Sequence, residues 1–454
     1  MVDSSRFRLS TLLYLLLLIL FFAGRPDGIL AGEDPPPPEQ ADKEASETQR
    51  SEDDERYYQT RQSVPRKVLA APKYLLVPIK YPSKKALIWF EDADLQNRMM
   101  GYFYFNEERT AGWFPNFSFG GKTTVALGAK LFHNDAWRQG KQFKLDFLYG
   151  DSDEWELDGL VKSPRFLMDR LTGSIIVRAF EGKEEDFAYD LATGTTGNET
   201  TKEDRTSYDI DRFGIKLDLA YQMSEVSEGA VSFDFDIGDV EEGADTSVPP
   251  IPTDVEGAYG EAQYYTGGSL RFLYDTRDSD YRATHGWLVH VQSGIRWNVK
   301  GTDGEGRDLS HYHWSAEVQR YLRLFSVFRT LLIRAKMTKT EPFSGGDGVP
   351  FYQQPTLDEN HGLRGFERGR WRDRGALQFN VEYRYPIWDT WDALLFLDEG
   401  QVFRDYEDLS MGGFKWSAGP GVRFSGQAGF MFRLTAAWSE EKEPLVLFKM
   451  DQAF

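Results

Sequence analysis

Apolar and polar residues alternate along most of this chain with a period of two, the signature of strands that carry one apolar and one polar face. Over 414–425 the row Trp416, Ala418, Pro420, Val422 and Phe424 interleaves with Lys415, Ser417, Gly419, Gly421 and Arg423. Over 374–385 Leu377, Phe379, Val381, Tyr383 and Tyr385 oppose Gln378, Asn380, Glu382 and Arg384. Burying the second row in a dry core would be costly, whereas lipid on one side and a wet lumen on the other suit both rows. The same alternation, punctuated by turn residues, predicts strands over 112–120, 123–133, 141–150, 154–163, 174–182, 209–221, 229–238, 266–276, 286–296, 309–323, 327–340, 374–385, 392–403, 414–425, 428–438 and 445–454. These make an even set of sixteen, the expectation for an all-β, 16-stranded antiparallel transmembrane β-barrel of the outer membrane. A secreted sandwich would alternate likewise but gives no reason for so many strands.

Connection lengths test that count, because outer-membrane barrels keep periplasmic turns short and let the outer loops grow. With both termini periplasmic, the long polar connections 183–208, 239–265, 297–308 and 341–373 all fall outside. The other side receives short links such as 222–228, 324–326 and 425–427. The last run reads as a terminal barrel strand, with Phe448, Met450 and Phe454 toward lipid and Lys449 and Asp451 toward the lumen. Gln452 interrupts its apolar row once.

Upstream of the barrel the pattern changes. Arg6 and Arg8 precede a short apolar run from Leu12 to Ala23, which reads as a signal peptide over 1–31. The run is too short for a spanning helix, which needs about twenty residues. Residues 32–66 form an acidic linker that opens on Pro35 to Pro38 and lacks the apolar content to fold, so they are expected to be disordered. Residues 67–111 form a periplasmic lead-in, either a short helix from Ser83 through Leu87, Phe90 and Leu95 or an extra strand near 98–105. The barrel proper is expected over 112–454.

Composition narrows the function. The net charge of −19 argues against nucleic acid as a partner, since phosphate binding needs clustered positive charge. The chain has no cysteine, which removes disulfides, thiolate metal sites and cysteine catalysis. His311 and His313 share one strand face but have no identifiable third ligand, and no nucleophile sits at informative spacing from a base. No enzyme activity, metal or cofactor is therefore expected. The acidic run Asp234, Asp236, Asp239, Glu241 and Glu242 reads as a solvated loop.

The informative segment is the long connection before 374–385. It holds Leu363-Arg364-Gly365-Phe366, followed by Arg368, Arg370, Arg372 and Arg374. Downstream come Glu382-Tyr383-Arg384-Tyr385-Pro386, Phe396-Leu397-Asp398-Glu399-Gly400 and Gly419-Pro420-Gly421-Val422-Arg423, and upstream Tyr274-Asp275-Thr276-Arg277-Asp278 with Gly286. In this order they resemble the barrel of the outer-membrane insertase superfamily, which includes barrel assembly factors, two-partner secretion transporters and bacterial surface antigens. The resemblance implies an outer loop folded back into the lumen, its tip of Leu363, Arg364, Gly365 and Phe366 held by the lumen partners Asp398 and Glu382. A guanidinium out of bulk water needs such carboxylates, and glycine lets the tip bend.

About eighty residues precede the first strand, half of them linker-like, so a form without polypeptide-transport-associated domains is expected. The resemblance implies a barrel assisting insertion or translocation of outer-membrane or surface proteins. The alternative is a passive channel or structural surface antigen without assembly activity. Expected partners are outer-membrane lipid and lipopolysaccharide, the barrel assembly machinery for its own insertion, and client outer-membrane proteins.

Overall fold

The computed structural model describes residues 102–120, 123–150, 154–189, 197–243, 262–280, 282–300, 308–324, 329–343, 348–359, 361–387, 391–425, 431–441 and 444–449. The expected leader, linker and most of the lead-in lie outside these residues, as do Met450 and Phe454.

Strong alternation makes long strands, and these pair with their sequence neighbours. In chain order they are β1 (Ala111–Gly120), β2 (Thr123–Ala136), β3 (Lys141–Tyr149), β4 (Trp155–Ser163), β5 (Leu171–Tyr189), β6 (Arg205–Ser224), β7 (Ser227–Glu242), β8 (Gln263–Asp275) and β9 (Gly286–Lys300). Then follow β10 (His311–Arg323), β11 (Thr330–Pro342), the two-residue β12 (Thr356–Leu357) and β13 (Trp371–Arg372), and β14 (Gly375–Pro386). The series ends with β15 (Trp391–Phe403), β16 (Lys415–Ser425), β17 (Met431–Ser439) and β18 (Leu445–Lys449). Among the described residues, all but β12 and β13 close into one antiparallel barrel of sixteen strands, with β11 bonded directly to β14. β1 meets β18 to complete the ring, Phe119 opposite Phe448. No described helix is long and apolar enough to cross a membrane.

The two faces sort as the alternation requires. Phe379, Leu397 and Trp416 are exposed on the outer wall, while Gln378, Asn380, Glu382 and Ser417 are buried toward the lumen. Phe448 belongs to the outer row. It stacks between Phe117 of β1 (4.7 Å) and Phe432 of β17 (5.8 Å), and so carries an aromatic contact across the closing strand pair. Lys449 points inward.

One expectation changes. Half of the stretch near 98–105 lies outside the described residues; within the rest Tyr104 makes a single bridge to Gly112, and Asn106 accepts from the Thr110 and Ala111 amides to turn the chain into β1. The acidic run is not a loop. β7 continues through Glu242, and Asp234 and Asp236 face Arg296 across the wall at 3.4 and 3.0 Å. The cross-strand cations missing from a local reading are what let those carboxylates enter the lumen.

Short links gather at the rim where β1 begins, and the long ones at the opposite rim. From the latter the connection between β11 and β14 turns inward and fills part of the lumen, so the site lies inside the barrel rather than at its mouth.

Candidate functional site

The inward connection is shaped by one carboxylate. Asp358, almost fully buried, accepts from the amides of His361 (2.9 Å) and Gly369 (2.8 Å). The Leu363 amide donates to its carbonyl at 2.9 Å. β12 and β13 pair at the base of this turn, Leu357 opposite Trp371. Leu357, Leu363, Phe366 and Trp371 then pack with Ala376 and Val402 of the wall as a small apolar core. Gly365 takes φ +88, and a Cβ there would meet that of Ala437 at 2.9 Å, so the tip approaches the wall more closely than a side chain allows.

That approach brings Arg364 to two carboxylates. Its Nε and Nη2 donate to Asp398 at 2.7 and 2.8 Å in a bidentate fork, and its Nη1 donates to Glu382 at 2.8 Å. Its backbone N–H donates to Asp398 at 3.3 Å, and the guanidinium lies 3.8 Å over the Phe396 ring. Arg364, Asp398 and Glu382 are 2%, 0% and 0% exposed. Asn380 fastens the pair to the loop, donating to Asp398 (2.9 Å) and to the Gly362 carbonyl (2.6 Å).

Glu382 serves more than one cation. Arg384 (2.7 Å) and Arg433 (3.0 Å) also donate to it, so three guanidinia share one buried carboxylate. Nearby, Asp392 takes Arg423 (3.1 Å) and Arg282 (3.0 Å), the latter from the turn between β8 and β9. The periodicity of β14 placed Glu382 and Arg384 inward; Arg433 and Arg282 come from distant strands and turns, and no local signal marked them.

Further along, the loop grips elements on both sides of the closing strand pair. Arg370 donates to Glu441, between β17 and β18, at 2.6 Å and to the Thr200 carbonyl at 2.8 Å. Arg368 pairs with Glu154 just before β4 and lies 5.2 Å over Phe180 of β5. Lys449 of β18 donates to the Glu359 carbonyl at 2.9 Å. The Glu359 carboxyl is pushed up to about 7 by burial, with Lys449 opposing and Asp358 reinforcing that rise. Between the loop and the wall of β4 to β9 lies a cavity of about 800 Å³, lined by Phe180, Lys216 and Arg296 of the wall and by Tyr352, Glu359 and Arg368 of the loop.

A barrel whose long inward loop carries Arg364 onto Asp398 and Glu382 can be compared with known proteins. Residues 138–444 match the Omp85 superfamily domain. The chain belongs to the Omp85 superfamily. Among solved structures, BamA from Haemophilus ducreyi lacking POTRA domains 1–3 is similar, with a TM-score of 0.52 and 13% identity over 75% of this chain and 70% of that one. CdiB from Escherichia coli has a TM-score of 0.51 at 12% identity, covering 74% of this chain and 61% of its own length. These likenesses are of fold. No curated protein matches the chain. An Omp85 barrel is an outer-membrane protein of the Gram-negative type, which agrees with the exposed aromatic and aliphatic outer wall.

Proposed function

We propose that this Omp85 barrel assists the insertion or translocation of outer-membrane or surface polypeptides. It does so without catalysis, and the inward loop acts as an internal latch. The observation that carries the reading is the buried fork of Arg364 on Asp398 with Glu382 beside it. Removing a buried ion pair from water is expensive, and its attraction repays this only when geometry and hydrogen bonding are as complete as they are here. Such an anchor fixes the tip of the loop to the wall of β14 to β17, and a cavity remains between the rest of the loop and the wall of β4 to β9. The segregation of long connections to one rim supports periplasmic termini. Client polypeptides would leave through the junction of β1 and β18, where the ring closes.

The test is deletion of the gene in its native host, with the outer-membrane proteome quantified in the deletion strain, the wild type and an Arg364→Ala complement. Selective loss of other barrels or surface proteins in both the deletion and the Arg364→Ala strain is the expected result. An unchanged proteome in the deletion strain would sink the assembly reading and leave a passive channel or structural antigen.

A further inference from the structure

Among the described residues four non-glycine positions take a positive φ: Arg109 (55), Trp137 (56), Arg138 (56) and Arg165 (54). All four sit at one rim, where β1 begins, in the lead to β1 and in the β2–β3 and β4–β5 turns. Glycine or asparagine would adopt this conformation at less cost, so the turns hold Trp and Arg against local preference. Their neighbours are equally unusual for a turn. The β4–β5 connection reads Arg165-Phe166-Leu167-Met168-Asp169-Arg170, with Leu167 75% and Met168 58% exposed.

These side chains fold toward the outer wall. Gly173 lies in the outer row of β5, opposite the exposed Leu219, and a Cβ on it would meet the Phe166 ring at 2.9 Å. Phe166 therefore lies against the lipid-facing surface in the space that Gly173 leaves. Trp137 packs edge-on to Phe143 at 5.4 Å, in the same row as the exposed Leu145 and Phe147, with the Lys141 ammonium 5.6 Å from its ring centre. The apolar knob is thus continuous with the membrane-facing wall.

Two turns of this collar carry charge opposite to the chain's net charge, beside Glu107 and Glu108 of the lead to β1. The two turns and the start of β3 carry Arg138, Lys141, Arg165 and Arg170 against Asp169 alone, in a chain of net charge −19. Arg138 reaches Glu108 at 3.6 Å, both largely exposed. Among the described residues no carboxylate pairs with Arg165 or Arg170, which flank the knob.

We infer that this collar binds the headgroup of an anionic phospholipid. Arg165 and Arg170 take the phosphate, while Phe166, Leu167, Met168 and Trp137 lie among the acyl chains. Each part matches a known mode of interfacial binding, aromatic residues at headgroup level and cations drawn to an anionic surface. Lipid is the fitting occupant because the apolar surface continues into a wall that already faces it, and because the exposed charge is positive.

The test uses the full folded chain in detergent, presented with equimolar phosphatidylglycerol and phosphatidylethanolamine, and reads retained lipid by native mass spectrometry. The wild type should retain phosphatidylglycerol over phosphatidylethanolamine by about thirtyfold, given about 1 kcal/mol for each of two arginines at an anionic surface. An Arg165→Gln/Arg170→Gln variant that keeps its heat-modifiable band on gels should fall to parity, and Leu167→Ser/Met168→Ser should lower retention of both lipids. Absence of a preference in the wild type, or a preference that survives the arginine exchange, overturns the assignment. So does displacement of phosphatidylglycerol by inorganic phosphate alone, which would make this a free-anion site, or a stronger preference for lipid A.

Discussion

Arg364 owes its hold to geometry that lysine cannot copy. Its planar fork meets both oxygens of Asp398 while a third nitrogen reaches Glu382, whereas an ammonium is a point charge on a flexible stem. Truncation would leave Asp398 and Glu382 buried with fewer donors, and breaking a buried pair in this way typically costs about 3–5 kcal/mol. Arg364→Ala should therefore lower the midpoint of heat or urea unfolding in detergent, and Arg364→Lys should recover only part of it. An unchanged midpoint for the alanine variant would mean that the contact contributes nothing to holding the loop. At this scale much was readable beforehand. The short motifs around Arg364, Glu382 and Asp398 pointed to one another through a resemblance, and the period of β14 put Glu382 and Asn380 on the inner face. The sharing of Glu382 with Arg433 was not readable, because β14 and β17 are separated in the wall by β15 and β16, and their inward side chains converge only when the wall curves.

Strand identity is the element-level property that alternation specifies best, since a slip of one residue would turn an entire face to the wrong solvent. Each of the sixteen barrel strands falls on a run of that pattern, and the departures lie at ends. β5 and β7 run further than their alternation suggested, through Tyr189 and Glu242, because cross-strand pairing sustains polar residues that look loop-like on their own. The inward loop shows the reverse. Nothing in its arginine spacing indicated that Arg370 would reach Glu441 and Arg368 Glu154, on opposite sides of the closing strands.

Glu359 gives this loop a pH dependence whose sign follows from burial. Its folded pKa of about 7 lies above the ordinary carboxyl value of 4.5, so between the two the folded state keeps a proton that the unfolded chain has lost. Below the unfolded pKa both states are protonated and burial of this carboxyl costs no ionisation energy. Stability then declines as pH rises from there to about 7, by up to roughly 3 kcal/mol, because each tenfold change in proton affinity is worth about 1.36 kcal/mol. The groups acting on Glu359 are Lys449, Asp358, Arg368 and Glu367. Unfolding midpoints measured from pH 5 to 8 should fall for the wild type more than for Glu359→Gln, whose side chain does not titrate. Parallel pH profiles for the two proteins would show that this carboxyl is not the source.

For the whole molecule the decisive contact is the closure of β1 on β18. Phe119 and Phe448 stand opposite one another, and directly opposed Cβ atoms about 4.5–5.5 Å apart approach the span of a disulfide. The chain has no other cysteine to interfere. A Phe119→Cys/Phe448→Cys variant should form an intramolecular cross-link on oxidation, visible as a shifted band on non-reducing denaturing gels. If clients leave through this junction, the variant should rescue the deletion strain only when reduced. Equal rescue in the oxidised state would place the exit elsewhere.

The sequence by itself determined the all-β class, the strand count and the alternation of lipid-facing and lumen-facing residues, because each follows from a period of two, while the anchor loop was indicated through the family resemblance. Tertiary structure alone decided which charges meet. Arg384 apart, the partners of Glu382, Asp392 and Glu154 come from residues 18 to 214 positions away, brought together by the curvature of a closed sheet and an inward loop. Pairing at such range depends on where the ring closes, and no local pattern carries that information.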